Sequence, residues 1–256
     1  MQITDHRLDM GDATIAARVW HPDAAAGLPV LMLHDSLGSV ALWRDLPEVL
    51  AQQSGRMVAA YDRAGYGQSS PQQALPPLDF IAAEAARIVQ LADALGLDRF
   101  IIAGHSVGGG MAVETAAQYP DRVAGLITIS AQAFLEDLTA AGIRAAKAMF
   151  AAPENLARIA RYHGDQARWV VDAWTETWLH PGFADWSLNA ALPQVRCPAL
   201  VIHGEADEYG TAEHPRRIAA ATGAQLMLIP GAGHLPHREN TAQVMAGMVG
   251  FLRGLP

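Results

Sequence analysis

Apolar residues along this chain fall into short, unbroken runs separated by longer stretches in which they recur every three or four positions. Leu28 to Leu33 reads LPVLML, Met57 to Tyr61 reads MVAAY and Phe100 to Ala103 reads FIIA. Gly125 to Ser130 reads GLITIS, Ala199 to Ile202 reads ALVI and Gln225 to Ile229 reads QLMLI. Runs of this kind predict strands covered on both faces, as in a parallel sheet. Helices are predicted between them over Val40–Gln53, Leu78–Leu95, Val107–Tyr119, Ala212–Ala221 and Thr241–Leu252. Asp79 suits the N-cap of the second and Gly96 its C-terminal stop. The first 20 residues, ending at Val19 and Trp20 before a His-Pro turn, predict an antiparallel hairpin entering the sheet.

The alternation predicts an α/β fold with a doubly wound, mostly parallel sheet. It breaks once. From Gln132 to about Gln194 no clear strand is visible, and four of the six tryptophans lie there: Trp169, Trp174, Trp178 and Trp186. So long a stretch between two sheet strands predicts an inserted helical lid rather than a loop. The expected division is a core of residues 1–131 and 197–256 with a lid of residues 132–196.

Chemistry is concentrated at three predicted strand ends. Gly104-His105-Ser106-Val107-Gly108 follows one strand and opens a helix. This is the context that lets a G-x-S-x-G sequence project its serine from a sharp, strained turn. The Val107 N–H, at the helix start, is then a candidate donor to a developing oxyanion. A serine hydroxyl needs a base, and the base needs an orienting group. ALVI runs on into His203-Gly204-Glu205-Ala206-Asp207, and QLMLI into Pro230-Gly231-Ala232-Gly233-His234. Asp207 is the candidate acid, with Glu205 two residues away, and His234 the candidate base. His237 is expected at the surface or rim, and His105 is expected to pack behind the serine.

These stretches, with Asp62-Arg63-Ala64-Gly65-Tyr66-Gly67-Gln68-Ser69, resemble the α/β-hydrolase superfamily over nearly the whole chain. The resemblance implies Ser106 as nucleophile, Asp207 as acid and His234 as base, and a mainly structural role for the Asp62–Ser69 turn. Serine at position 106 separates the chain from the similar dehalogenases and epoxide hydrolases, which carry aspartate there. The loop His34-Asp35-Ser36-Leu37-Gly38 departs from the His-Gly of many relatives. It is closer to the Asn-Ser-Leu-Gly of 3-oxoadipate enol-lactonases. In both versions the third residue, here Ser36, gives the second oxyanion N–H. His34 is expected to brace this loop. The implied activity is hydrolysis of a small ester or lactone. Carbon–carbon bond hydrolysis, cofactor-free perhydrolase or dioxygenase chemistry, and a slow-turnover ligand sensor remain open. Trp174 and Trp178, four apart in the lid, share one face if their segment is helical and are candidate substrate-binding residues.

Composition narrows the partners. With 18 basic and 26 acidic residues the formal net charge is −8, and no basic cluster is visible, so nucleic acid is not an expected partner. No run of about 18 apolar residues exists to span a membrane. A small-molecule substrate is expected; oligomeric state is open. Neither H-E-x-x-H nor C-x-x-C occurs, so no metal site and no cofactor are expected. Cys197 is the only cysteine, expected as a buried structural thiol. With MQITDHRLDMG showing no signal peptide, a cytoplasmic location is expected.

Overall fold

A computed structural model describes all residues, Met1–Pro256. Eight strands form one sheet in the order β1-β2-β4-β3-β5-β6-β7-β8. Strands β1 (Gln2–Asp9) and β2 (Thr14–His21) make the expected antiparallel hairpin, and β2 runs antiparallel to β4 (Val58–Tyr61). From there β4, β3 (Val30–Leu33), β5 (Phe100–His105), β6 (Val123–Ile129), β7 (Ala199–Gly204) and β8 (Gln225–Ile229) are all parallel.

The chain steps outward from β3 to β4 through helix α1 (Leu46–Ser54). It then returns through α2 (Phe80–Ala94) to place β5 on the other side of β3. Winding reverses between β3 and β5, so the loops at their carboxyl ends diverge and leave the crevice where such sheets bind ligands. Helix α3 (Val107–Gln118) follows β5, α7 (Glu213–Thr222) precedes β8, and α9 (Thr241–Arg253) closes the chain after a single turn, α8 (Pro236–Glu239). Alternate side chains of β5 feed opposite cores. Ile102 packs in the core shared with Ile88 and Met111, whereas Ile101 and Ala103 join Leu50 and Met248 on the other face. Both faces are therefore covered, which is why the inner strands read as unbroken apolar runs.

Three expectations need correction. Strand β8 is an edge strand with Gln225 and Leu226 exposed, so its apolar run is not covered on both faces. The predicted Val40–Gln53 helix is two pieces, a short 3-10 turn over Val40–Trp43 and then α1. Arg44 between them has φ +54°, and Pro47, tolerated in the first turn of α1, cannot sit inside a continuous helix. Cys197 is half-buried, packed against the core with burial pushing its thiol up to about 11.

Between β6 and β7 lie α4 (Asp137–Met149), α5 (Pro153–His163) and α6 (Ala167–Trp178), with α6 packed on the other two. Ala146, Phe150 and Val171 form a small core of their own, onto which Leu37 packs from the loop after β3. His163 ties α5 to the sheet. Its Nδ1 accepts from the Gly67 N–H at 2.9 Å, which leaves Nε2–H to donate to the Leu37 carbonyl at 3.0 Å. An isolated bridge pairs Phe134 with Ser187 in the stretch where no strand was expected. No helix is long and apolar enough to cross a membrane.

Candidate active site

Ser106 stands between β5 and α3 with φ +54° and ψ −124°, a region that costs a non-glycine residue on the order of 1–3 kcal/mol. The neighbouring packing holds it there. Its N–H donates to the Ile129 carbonyl of β6 at 2.8 Å, and the Gly109 N–H donates to its carbonyl at 2.8 Å. A Cβ on Gly104 would strike the Gly108 carbonyl, and one on Gly108 would strike the Leu33 carbonyl of β3. The G-x-S-x-G spacing thus reports backbone passing against backbone on both sides of the serine.

Asp207 lies in the loop after β7 and His234 in the loop after β8. The His234 Nδ1–H donates to the Asp207 carboxylate, 2.9 Å from Oδ2 and 3.0 Å from Oδ1. In the neutral ring Nε2 is then the acceptor. Asp207 also accepts from the Tyr209 N–H at 2.8 Å, and His203 Nε2 lies 3.4 Å from it. Burial works against charging His234, but the hydrogen bond and charge of Asp207 outweigh it, so the ring titrates above the ordinary histidine value. Burial likewise works against the Asp207 carboxylate, yet the His234 hydrogen bond holds its pKa below the usual range. Glu205 is exposed and contacts neither, whereas the neighbouring Glu208 accepts from the His234 N–H at 3.1 Å.

Ser106 and His234 line one cavity of about 390 Å³, whose wall has 21 residues, 11 of them hydrophobic. That size and lining suit a small organic molecule. The two side chains are not hydrogen-bonded to each other. The Ser106 hydroxyl instead makes a long contact, 3.4 Å, with Gln132 Oε1. Ser36 lines the cavity, Val107, next in the chain to Ser106, is buried, and neither backbone N–H has an acceptor in the protein. Trp174 and Trp178 both line the cavity from α6.

The surrounding histidines divide as follows. His34 braces the loop after β3, with Nδ1 2.7 Å from the Asp35 carbonyl and Nε2 accepting from the Arg63 N–H at 3.1 Å. His105 packs behind the serine, as expected, bridging Asp35 Oδ2 (3.0 Å) and the His234 carbonyl (2.9 Å). His237 is not at the rim. It is buried against Trp43 and His105, with ring centroids 5.5 and 4.7 Å away, because α8 turns it inward beneath the His234 loop. The Asp62 carboxylate accepts from the Val40 and Gln68 N–H groups at 2.6 and 2.8 Å, a structural role. Gln132, Tyr209 and Arg238 line the cavity and carried no sequence signal. No group of three or more histidine, cysteine, aspartate or glutamate side chains is placed to hold a metal ion.

A sequence model described as the alpha/beta hydrolase family matches residues 30–246. Among curated proteins, the chain is 28% identical over 251 residues to a Pseudomonas putida protein, the dihydrolipoyllysine-residue acetyltransferase component of an acetoin cleaving system. That match covers 89% of this chain and 64% of the relative. The chain is also 30% identical over 188 residues to the human serine hydrolase BPHL, covering 70% of this chain and 64% of the relative. It thus spans slightly under two thirds of either relative's length. Among solved structures it is similar to an enol-lactonase from Burkholderia xenovorans LB400, with TM-score 0.73 and 20% identity over 95% of this chain and 98% of that one. It is also similar to a thermophilic esterase from Thermogutta terrifontis, with TM-score 0.74 and 23% identity over 99% of each chain. At these identities the two structures speak to the fold alone. The fold agrees with the family model, which spans most of the sheet and the three strand-end loops: the chain belongs to the alpha/beta hydrolase family.

Proposed function

We propose that this chain is a serine hydrolase that cleaves a small ester or lactone through an acyl-enzyme on Ser106. The observation that carries the reading is the His234–Asp207 pair, 2.9 Å apart, opening on the same cavity as a serine held at positive φ. Ser106 Oγ, turned from Gln132 toward His234, attacks the substrate carbonyl carbon while His234 Nε2 takes its proton. Hydroxyl–base contacts that are long in the free enzyme tighten when substrate binds. The Ser36 and Val107 N–H groups hold the oxyanion, and the protonated His234 returns the proton to the leaving alkoxide. Water, deprotonated by His234, then attacks the acyl carbon and releases Ser106. Asp207 keeps the imidazole in the required tautomer throughout. In this reading residues 132–196, with α4 to α6, are a lid over the nucleophile.

The test is a hydrolysis screen across short activated esters, lactones and ring-cleavage diketones, with a fluorophosphonate as active-site probe. One equivalent of probe bound, together with ester or lactone turnover, is expected. Turnover of diketones alone would move the reading to carbon–carbon bond cleavage.

The pH profile follows from His234. The base acts only when neutral, and Asp207 raises its pKa above that of an ordinary histidine. Activity is therefore expected to fall as pH is lowered, with a midpoint on the alkaline side of about 6.5. A profile flat down to pH 5 would rule out His234 as the base.

The two tryptophans are expected to behave differently. Trp178 is buried, packed on Phe183 and Trp186 with centroids 5.1 and 5.3 Å away. Trp178→Ala is expected to destabilise the fold by roughly 3–5 kcal/mol. Trp174 is half-buried and touches Tyr209 across the cavity, 5.9 Å between centroids. Trp174→Ala is expected to shift kcat/KM toward longer acyl chains by about tenfold, the discrimination a few methylenes supply. An acyl-length series with melting temperatures separates the two effects.

A further inference from the structure

Arg238, on α8 four residues after His234, lines the same cavity as Ser106. It is half-buried, and burial lowers its pKa; the charge of Asp35 works against that lowering and Arg44 adds to it. One nitrogen, Nη2, donates to the Leu42 carbonyl at 2.5 Å, while the buried Nε has no partner and Nη1 makes no hydrogen bond. No carboxylate lies within ion-pair distance. A buried guanidinium N–H without a hydrogen-bond acceptor is costly and calls for a partner. Arg158, on α5 one turn before Tyr162, lines the cavity too and also lacks a carboxylate partner.

The acids in the wall are already engaged. Glu208 accepts from the His234 N–H. Asp35 accepts from the Leu37 N–H at 2.8 Å and pairs with His105. One ring nitrogen of His105 lies 3.0 Å from the Asp35 carboxylate and the other 2.9 Å from the His234 carbonyl. Asp35 is thus hydrogen-bonded by Leu37 and His105, whereas neither arginine facing the cavity is paired with a carboxylate, and two of the three Arg238 side-chain nitrogens remain free for a ligand. We infer that the substrate is an acidic ester whose free carboxylate is bound by Arg238, with Arg158 reinforcing it, while an apolar middle spans the cavity to Ser106. The inference rests on the ester-hydrolase reading for the bond that is cleaved.

The test compares kcat/KM for mono-p-nitrophenyl glutarate with that for p-nitrophenyl pentanoate, which has no carboxylate. In Arg238→Gln the acidic-over-neutral ratio is expected to fall about tenfold or more, the loss expected for one hydrogen bond between charged groups. Arg238→Lys should recover part of the ratio. Arg158→Gln, an exposed position that tolerates substitution, should lower the ratio in the same direction. Arg216→Gln, which changes net charge equally but lies on α7 away from the cavity, should leave it unchanged. Binding is read independently of turnover in the Ser106→Ala protein, where monoethyl glutarate should quench Trp174 and Trp178 fluorescence and Arg238→Gln should weaken that quenching. If neither ester is hydrolysed but quenching behaves as stated, the hydrolase reading fails and the carboxylate site stands. A ratio unchanged in both arginine variants, or quenching indifferent to Arg238, overturns the carboxylate site.

Discussion

Ser106→Ala is expected to lower kcat for a short activated ester by on the order of a millionfold, the loss seen when a serine nucleophile is removed from a triad. The fold should remain. The hydroxyl makes only one hydrogen bond, a long one of 3.4 Å, so its removal is expected to change stability by no more than about 1 kcal/mol. Alanine has no more difficulty than serine at φ +54°, and the Ile129 and Gly109 backbone hydrogen bonds that hold the turn are untouched. The measurement pairs steady-state kinetics and a melting curve with fluorophosphonate labelling. The probe should add once to the wild-type protein, at Ser106, and not at all to the variant. An adduct elsewhere, or turnover preserved in the alanine variant, excludes Ser106 as nucleophile.

Asp207→Asn is expected to cost on the order of ten thousandfold in kcat while keeping the fold. The reason lies in the His234 proton. With a carboxylate at 2.9–3.0 Å, Nδ1 must carry the hydrogen and Nε2 is free to accept from the serine. An asparagine amide can turn its NH₂ toward Nδ1, stabilising the tautomer with hydrogen on Nε2, which cannot act as a base. Glu205→Gln is the control, because Glu205 is exposed and touches neither residue; its effect should stay within about twofold, as for surface substitutions generally. Similar losses in the two variants would show that the acid is misassigned or shared.

Much of this architecture is legible in the sequence alone. Inner parallel strands are covered on both faces, so they leave local apolar runs such as FIIA and ALVI that need no tertiary information to find. The Ser106 turn was legible because its two glycines are required by backbone contacts within a few residues and with the adjacent strand. Asp207 and His234 were legible through their places after successive strands. Tertiary structure decided what depends on residues far apart in the chain. The edge position of β8 follows from sheet order, which the QLMLI run does not encode. His237 looked like a rim residue because a single short turn has no periodicity to reveal its inward face. That the Asp207 carboxylate, the sequence candidate, hydrogen-bonds His234 while Glu205 stays exposed is a contact across 27 residues of chain. The pairing of Asp35 with His105 spans 70 residues, and the bond from His105 to the His234 carbonyl spans 129. Apolar burial is a property of runs and survives in local sequence, whereas a hydrogen bond is a meeting of two particular atoms, and only the folded chain determines which atoms meet.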